Sequence, residues 1–250
     1  MISVRLTVFV LAAESGGKQD RWARYMKGPK QFVEVMGEAL IERTLRLCRA
    51  HFDHDVYLLT LGDLFNSLPV IKLVPKCFAT KAHSVLNVLD VWEAGDLVIL
   101  YSDVYYSDAA FSTVMKTPGT HFFGRGGRSA FTFKNYGELF AIRVAWEDKL
   151  YLVEMLGQCV INYESSGQQS FWGLYRLMAG FPVDKHKVET SLFVNIHDET
   201  DDIDFPQDVQ RLIGAVEKRP EWRVRFLMRR LSLWNKKRRD RWRELRGRIR

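Results

Sequence analysis

The chain has 250 residues, of which 47% are hydrophobic and 27% charged. That composition allows one sizeable core with an appendage, and no apolar run reaches the ~18 residues that suggest a transmembrane helix. The net charge of +7 is unevenly placed: residues 218–250 hold 15 Lys/Arg against 3 Asp/Glu, the remainder 22 against 27. The basicity therefore belongs to a tail, and the body is mildly acidic.

In chain order, Val4–Ala13 reads as a strand from its β-branched apolar run. Arg5 and the apolar stretch after it resemble a short secretory leader, but a first strand entering a Gly-rich loop accounts for the same residues. Ala39–Ala50 has Leu40, Ile41, Leu45 and Cys48 at helical spacing, and Val56–Leu61 reads as a second strand. Lys81–Trp92 is predicted helical, with Val85, Leu89 and Trp92 on one face. Asp96–Tyr101 is an apolar strand that stops at Ser102-Asp103, and His121–Phe123, Leu139–Val144 and Ser191–Ile196 are further strands. Trp146–Gln158 and Pro206–Val216 complete the helices, the second with proline in its first turn. Short buried strands separated by helices imply an α/β fold, a mostly parallel Rossmann-like sheet with helices on both faces. Residues 1–217 form that domain, and 218–250 a basic helical tail.

Ligands of such sheets sit beyond the carboxyl ends of the strands. Three places qualify: the loop after the first strand, the Ser102-Asp103 corner, and the acidic run "DETDDIDF". In the first, Gly16-Gly17-Lys18 lets backbone N–H groups approach an anion, with Arg21, Arg24, Lys27 and Lys30 adding positive charge. The spacing fits neither a Walker loop nor a dinucleotide fingerprint, and a solvated loop has the same composition. Asp103 suits a metal ligand, but also a turn or helix cap. Asp202, Asp204 and Asp208 suit the start of a helix, which favours negative charge. Asp198, Asp201 and Asp202 read as solvated loop carboxylates, with Asp202 the fallback ligand. His51, Asp53, His54 and Asp55 read as a solvated connection. The three cysteines, Cys48, Cys77 and Cys159, are odd in number and far apart. They argue against a disulfide framework and for a reducing, cytoplasmic setting.

The stretch "VFVLAAESGGK…GPKQFVEVMGEALIERTLRLC" resembles the opening of the nucleotidyltransferases with a GT-A-like fold. Leu11-Ala12-Ala13, Gly16, Pro29-Lys30 and Gly37-Glu38-Ala39-Leu40-Ile41 match its pattern in order. Lys18 stands for its arginine, and Glu14 replaces its first glycine. The later "GDLVILYSD" and "DIDFPQDV" resemble the segments that supply its two metal-binding aspartates. The resemblance implies that Asp103 and Asp204 bind Mg²⁺ and that Lys18 and Lys30 stabilise phosphate charge. It also gives Leu11, Ala12, Ala13, Gly16, Gly17, Thr80 and Ser84 to the nucleotide. The activity implied is transfer of a nucleotidyl group from an NTP to a phosphorylated sugar, polyol or choline, releasing pyrophosphate. The basic, Gly-rich segment 124–138, with Arg125, Arg128, Lys134 and Glu138, suits the phosphorylated acceptor, or equally a mobile hairpin. Two alternatives are a GT-A glycosyltransferase, which would carry an explicit D-x-D, and a degenerate nucleotide-binding adaptor.

The tail repeats Val224, Leu227, Leu231, Trp234, Trp242, Leu245 and Ile249 at helical steps among cations. It suits an anionic membrane surface, with Trp222, Trp234 and Trp242 at the interface, or packing on the body or a second subunit. Nucleic acid is the weaker reading, because no recognition module accompanies it.

Overall fold

The computed structural model describes residues 5–12, 22, 25, 27–51, 56–61, 63–132, 134, 136–167, 170–182, 184, 187–188, 191–219 and 227–238. Its centre is β1 (Leu6–Leu11), whose six residues are all buried. On one side β1 pairs in parallel with β4 (Val56–Leu59), which pairs in parallel with β5 (Ile71–Leu73). On the other it pairs in parallel with β6 (Asp96–Tyr101). β9 (Glu138–Val144) lies antiparallel between β6 and β8 (His121–Arg125), and β10 (Phe193–Asn195) closes the sheet parallel to β8. The seven strands run β10-β8-β9-β6-β1-β4-β5.

The helices cover the sheet because each hides one apolar stripe. In α1 (Leu40–His51) the buried residues are Leu40, Ile41, Thr44, Leu45, Leu47 and Cys48. The chain leaves β1 for β4 in one direction and returns from β5 to β6 in the other. Right-handed crossovers of opposite direction put α1 and α2 (Lys81–Leu86) on opposite faces. α1 packs with α3 (Asp108–Lys116); α2 packs with α4 (Lys149–Ser166), which packs with α5 (Trp172–Met178). The main core runs through the sheet from Leu6 to Ile196.

A second, smaller core lies beside the carboxyl edge. Trp22, Val35, Leu40, Tyr105, Ile203 and Leu212 are its buried members. It joins the hairpin of β2 (Glu34–Val35) and β3 (Glu38–Ala39), the pair β7 (Val104–Tyr105) and β11 (Asp201–Asp202), and α6 (Pro206–Val216). Gly28 has φ +84°, which an L side chain rarely adopts, and its carbonyl accepts from the Trp22 indole at 3.0 Å. That turn delivers Pro29-Lys30 from the second core toward the strand ends.

The elements deviate from the sequence expectations in identifiable ways. α2 ends at Leu86, where the Asn87 side chain donates to the His83 carbonyl, and a 3-10 turn covers Leu89–Val91. α4 runs on to Ser166 and is stopped by Gly167 in the left-handed conformation. α6 spans the residues expected of it. Residues 227–238 form a helix, α7, within the tail.

Candidate active site

Strand order reverses at β1 and β6, so their carboxyl ends frame the crevice where such sheets bind ligands. Leu11 and Tyr101 face each other in the last register pair. Just beyond, the Ser102 hydroxyl and backbone N–H both donate to the Leu11 carbonyl, at 2.6 and 3.2 Å. This ties the turn after β6 to the end of β1 and fixes the start of Asp103.

Asp204 reaches Asp103 through a short antiparallel ladder. Asp201 pairs with Tyr105 and Asp202 with Val104, and the Ile203 N–H donates to the Asp103 carbonyl at 3.1 Å. The Asp208 carboxylate, at the start of α6, accepts from the backbone N–H groups of Asp204 and Phe205 at 3.2 and 3.0 Å. Residues remote in sequence are thereby set side by side by backbone pairing and a helix cap.

Lys30 lies between the two carboxylates. Its ammonium is 2.5 Å from Asp103 Oδ2 and 3.7 Å from Asp204 Oδ1. The side chains of Asp103 and Asp204 are 19% and 22% exposed, so the pair is open to solutes. Burial disfavours the charged form of Lys30, but Asp103, with Asp202 and Asp204 behind it, outweighs that and raises its pKa. Lys81, exposed at the first position of α2, rests its ammonium 4.0 Å from the centroid of the Tyr101 ring.

A second carboxylate cluster adjoins this one and is built differently. Glu138, Asp201 and Asp202 offer oxygens that all lie within 4.8 Å of one another, a spacing that could hold a metal. Two cations of the chain already fill it. Lys134 Nζ is 3.0 Å from Glu138 Oε1, pairs closely with Asp202 Oδ1, and donates to the Asp202 carbonyl at 2.8 Å. Arg125 Nη2 is 2.5 Å from Glu138 and 3.0 Å from Asp201. The Thr132 hydroxyl donates to Asp201. Arg125, Lys134, Glu138 and Asp201 are all buried. Burial and the neighbouring carboxylates of Asp202 and Asp201 push the Glu138 pKa up. For Asp202, burial also favours the neutral form, but Lys134 outweighs it and holds the carboxyl below its usual range. The cluster is a saturated internal ion network.

A divalent ion fits the first cluster better than the second. Asp103 and Asp204 are hard oxygen donors, partly exposed, and arranged around a point already occupied by positive charge.

No protein-family model and no curated protein matches the chain. Solved structures do. CTP:phosphocholine cytidylyltransferase from Streptococcus pneumoniae superposes with a TM-score of 0.55 at 13% identity, over 85% of this chain and 100% of that one. UDP-glucose pyrophosphorylase from Acinetobacter baumanii gives 0.54 at 12% identity, over 91% and 99%. The 2-C-methyl-D-erythritol 4-phosphate cytidylyltransferase from Thermus thermophilus gives 0.53 at 17%, over 84% and 98%. The chain has the nucleotidyltransferase fold.

On that fold the residues singled out from the sequence fall into three groups. Lys30, Asp103 and Asp204 come together at the crevice, beside Leu11 and Ala12 at the end of β1. Ala13, Gly16, Gly17 and Lys18 lie outside the described residues, as does Glu14. The others are elsewhere engaged. Thr80 caps α2, its hydroxyl accepting from the His83 N–H, and the Ser84 hydroxyl donates to the Thr80 carbonyl; both residues are buried. Arg125, Lys134 and Glu138 face one another in the interior, and Arg128 alone of the four acceptor candidates is on the surface. Asp201 and Asp202, expected in solvent, instead join the ion network, because β11 pairs with β7 and buries Asp201 while Asp202 stays partly exposed. Sequence reasoning missed this pairing. Lys134 and Glu138 are four apart, but no helix or strand pattern showed that they converge on β11.

Proposed function

We propose that the protein is a Mg²⁺-dependent nucleotidyltransferase, which joins an NTP to a phosphorylated small molecule and releases pyrophosphate. The observation that carries this reading is the convergence of Asp103 and Asp204 on one cation at the crevice of a nucleotidyltransferase fold. A phosphate oxygen of the acceptor attacks the α-phosphorus, and the bond to the bridging oxygen of the β-phosphate breaks. Asp103 and Asp204 would hold the ion, which would supply positive charge to the reacting phosphates. Lys30, Lys81 and, from the preceding loop, Lys18 neutralise the α-phosphate and the departing pyrophosphate. Leu11 and Ala12 are the nucleotide side of the crevice, Ala13, Gly16 and Gly17 are proposed to bind the nucleotide with them, and exposed Arg128 is the cation left for the acceptor. Such transfers depend on positioning and charge neutralisation, so no nucleophilic triad is needed. The names of the structural neighbours favour a choline, polyol or sugar phosphate as acceptor. A pyrophosphate-release screen of the four NTPs against those acceptors with Mg²⁺ tests it. Turnover by one pair, abolished by EDTA, is expected; silence across a correctly folded preparation overturns the reading.

The tail, we further propose, rests on an anionic membrane surface and keeps the enzyme peripheral to it. A helix turns about 100° per residue, so Leu227, Leu231 and Trp234 share one face of α7. All three are exposed. The opposite face carries Leu233, half-buried, and Arg229, whose guanidinium donates to the Ser129 carbonyl at 3.4 Å. The helix thus touches the body with one side and turns its apolar stripe outward, flanked by Arg230 and Lys237, with the Arg238 guanidinium over the Trp234 ring. No helix of the described residues is long and apolar enough to cross a membrane. Full-length protein should co-sediment with phosphatidylglycerol vesicles but not with phosphatidylcholine ones, and Leu231→Glu/Trp234→Glu should abolish the binding. Retained binding in that variant refutes the assignment.

A further inference from the structure

We infer that Lys30 keeps the place of the divalent ion, so that metal enters this site only as Lys30 moves to the phosphates of an arriving nucleotide. The inference rests on the reading of Asp103 and Asp204 as the metal ligands and adds an order of events to it.

The ammonium lies 2.5 Å from Asp103 and 3.7 Å from Asp204, the position a bridging cation would take. A primary ammonium and a divalent ion cannot both occupy it, because each would repel the other at contact distance. Lys30 is well held there by its contacts with both carboxylates. Free metal must therefore displace a charge already neutralising the pair and gains little by doing so. A triphosphate changes this balance twice. It offers the ammonium several oxygens of higher charge, and it brings the metal further hard ligands of its own. Lys30 is also able to make the exchange. It sits on a 3-10 turn, Lys30–Phe32, outside the main sheet, and one-fifth of its side chain is exposed (21%). Lys134, by contrast, is 2% exposed and held by several carboxylates at once, so its cation is fixed. The chain thus carries one permanent internal cation and one exchangeable cation, each set in aspartates of the same short segment.

Mn²⁺ binding to the full-length chain without nucleotide, read by the loss of the free-ion paramagnetic resonance signal, tests this. Lys30→Met and Lys30→Gln should bind Mn²⁺ at least ~10-fold more tightly than the unmodified chain, because a like charge has been removed. Lys30→Arg, which keeps the charge, should stay within a few-fold of it. Asp103→Asn in the Lys30→Met background should remove the gain. Circular dichroism melts of each variant establish that the fold is present. Equal Mn²⁺ affinity in folded Lys30→Met or Lys30→Gln and in the unmodified chain overturns the inference, and so does a gain that survives Asp103→Asn. The outcome is separable from that of the enzymatic reading. If Mn²⁺ binding tightens but no NTP yields pyrophosphate, the place-holding stands and the transferase reading falls. If pyrophosphate release depends on Asp103 but Lys30→Met gains no affinity, the reverse holds.

Discussion

Asp202 and Asp204 are two residues apart on the chain, and their surroundings differ in kind. Asp202, itself nearly as exposed as Asp204 (20%), pairs with Lys134 at the edge of a buried network where Lys134 and Arg125 meet Glu138 and Asp201. Asp204 points to the crevice, where it and Asp103 share Lys30 and remain partly exposed. The first cluster carries its own counter-charges in fixed positions, and its task is to hold β9, β11 and the segment around Lys134 together. The second holds a single, exchangeable ammonium between two carboxylates, which suits a site that takes up a cation together with a polyphosphate. Identical side chains become structural or chemical according to whether the fold has already neutralised them.

The comparison breaks most visibly at Lys134. Lys134→Met removes a cation from a buried group of carboxylates and leaves them uncompensated, which typically costs about 3–5 kcal/mol. For a chain of this size that is on the order of 10 °C in melting temperature. A calorimetric shift equivalent to less than about 1 kcal/mol would place the network in the same class as exposed pairs. At the crevice the balance should invert. Asp103→Asn should reduce kcat by at least ~100-fold, the usual loss when a preorganised charge-stabilising group is removed, while leaving the melting temperature nearly unchanged. Undiminished turnover in that variant would refute the metal assignment.

The two clusters should also answer pH differently. Burial and the neighbouring Asp202 and Asp201 carboxylates push the Glu138 pKa up in the folded state. The unfolded chain releases the Glu138 proton above the ordinary glutamate range, and the folded chain holds it to higher pH. Glu138 therefore contributes full stability at acid pH and lowers it as pH rises, by up to about 1.4 kcal/mol per unit. Glu138→Gln mimics the protonated form without this loss. The variant should gain on the unmodified chain in melting temperature between pH 5 and 8, within the window where its unfolded counterpart is ionised. Parallel melting curves across that range would show that the fold does not raise the Glu138 pKa.

What the sequence revealed and what it hid follow from range. β1, β6 and β9 were legible because a strand buried on both faces must be a continuous apolar run. α6 was legible because Pro206 marks its first turn. The convergence of Asp103 and Asp204 was available only through the order of motifs, since nothing local distinguishes Asp204 from Asp201. The ladder that separates them, β7 with β11, has two residues in each strand and so no periodicity to detect. α3 was passed over although Ser107 is a plain cap, its hydroxyl accepting from the Ala110 N–H at 2.9 Å. Burial of Arg125, Lys134 and Glu138 was hidden for a further reason. A basic, Gly-rich segment looks solvent-exposed until its acidic partners, many residues downstream, are placed against it.

An exposed pair supplies the lower limit for the comparison and the smallest expected effect. Arg46 is 2.6 Å from Glu38, as close as the buried Arg125 is to Glu138, and the geometry alone would rank the two together. Exposure separates them, because half of the Arg46 side chain is in water (51%). Water screens the attraction, and holding a long side chain in one rotamer offsets part of the gain. The Arg46 and Arg43 guanidiniums still lower the Glu38 pKa. Arg46→Ala should cost no more than about 1 kcal/mol in low salt and almost nothing at about 0.5 M NaCl. Arg125→Ala, measured alongside, should cost several times as much and respond weakly to salt, since buried pairs are screened far less. Equal costs with equal salt dependence would mean that solvent reaches the Arg125–Glu138 pair, and that both carboxylate clusters are open.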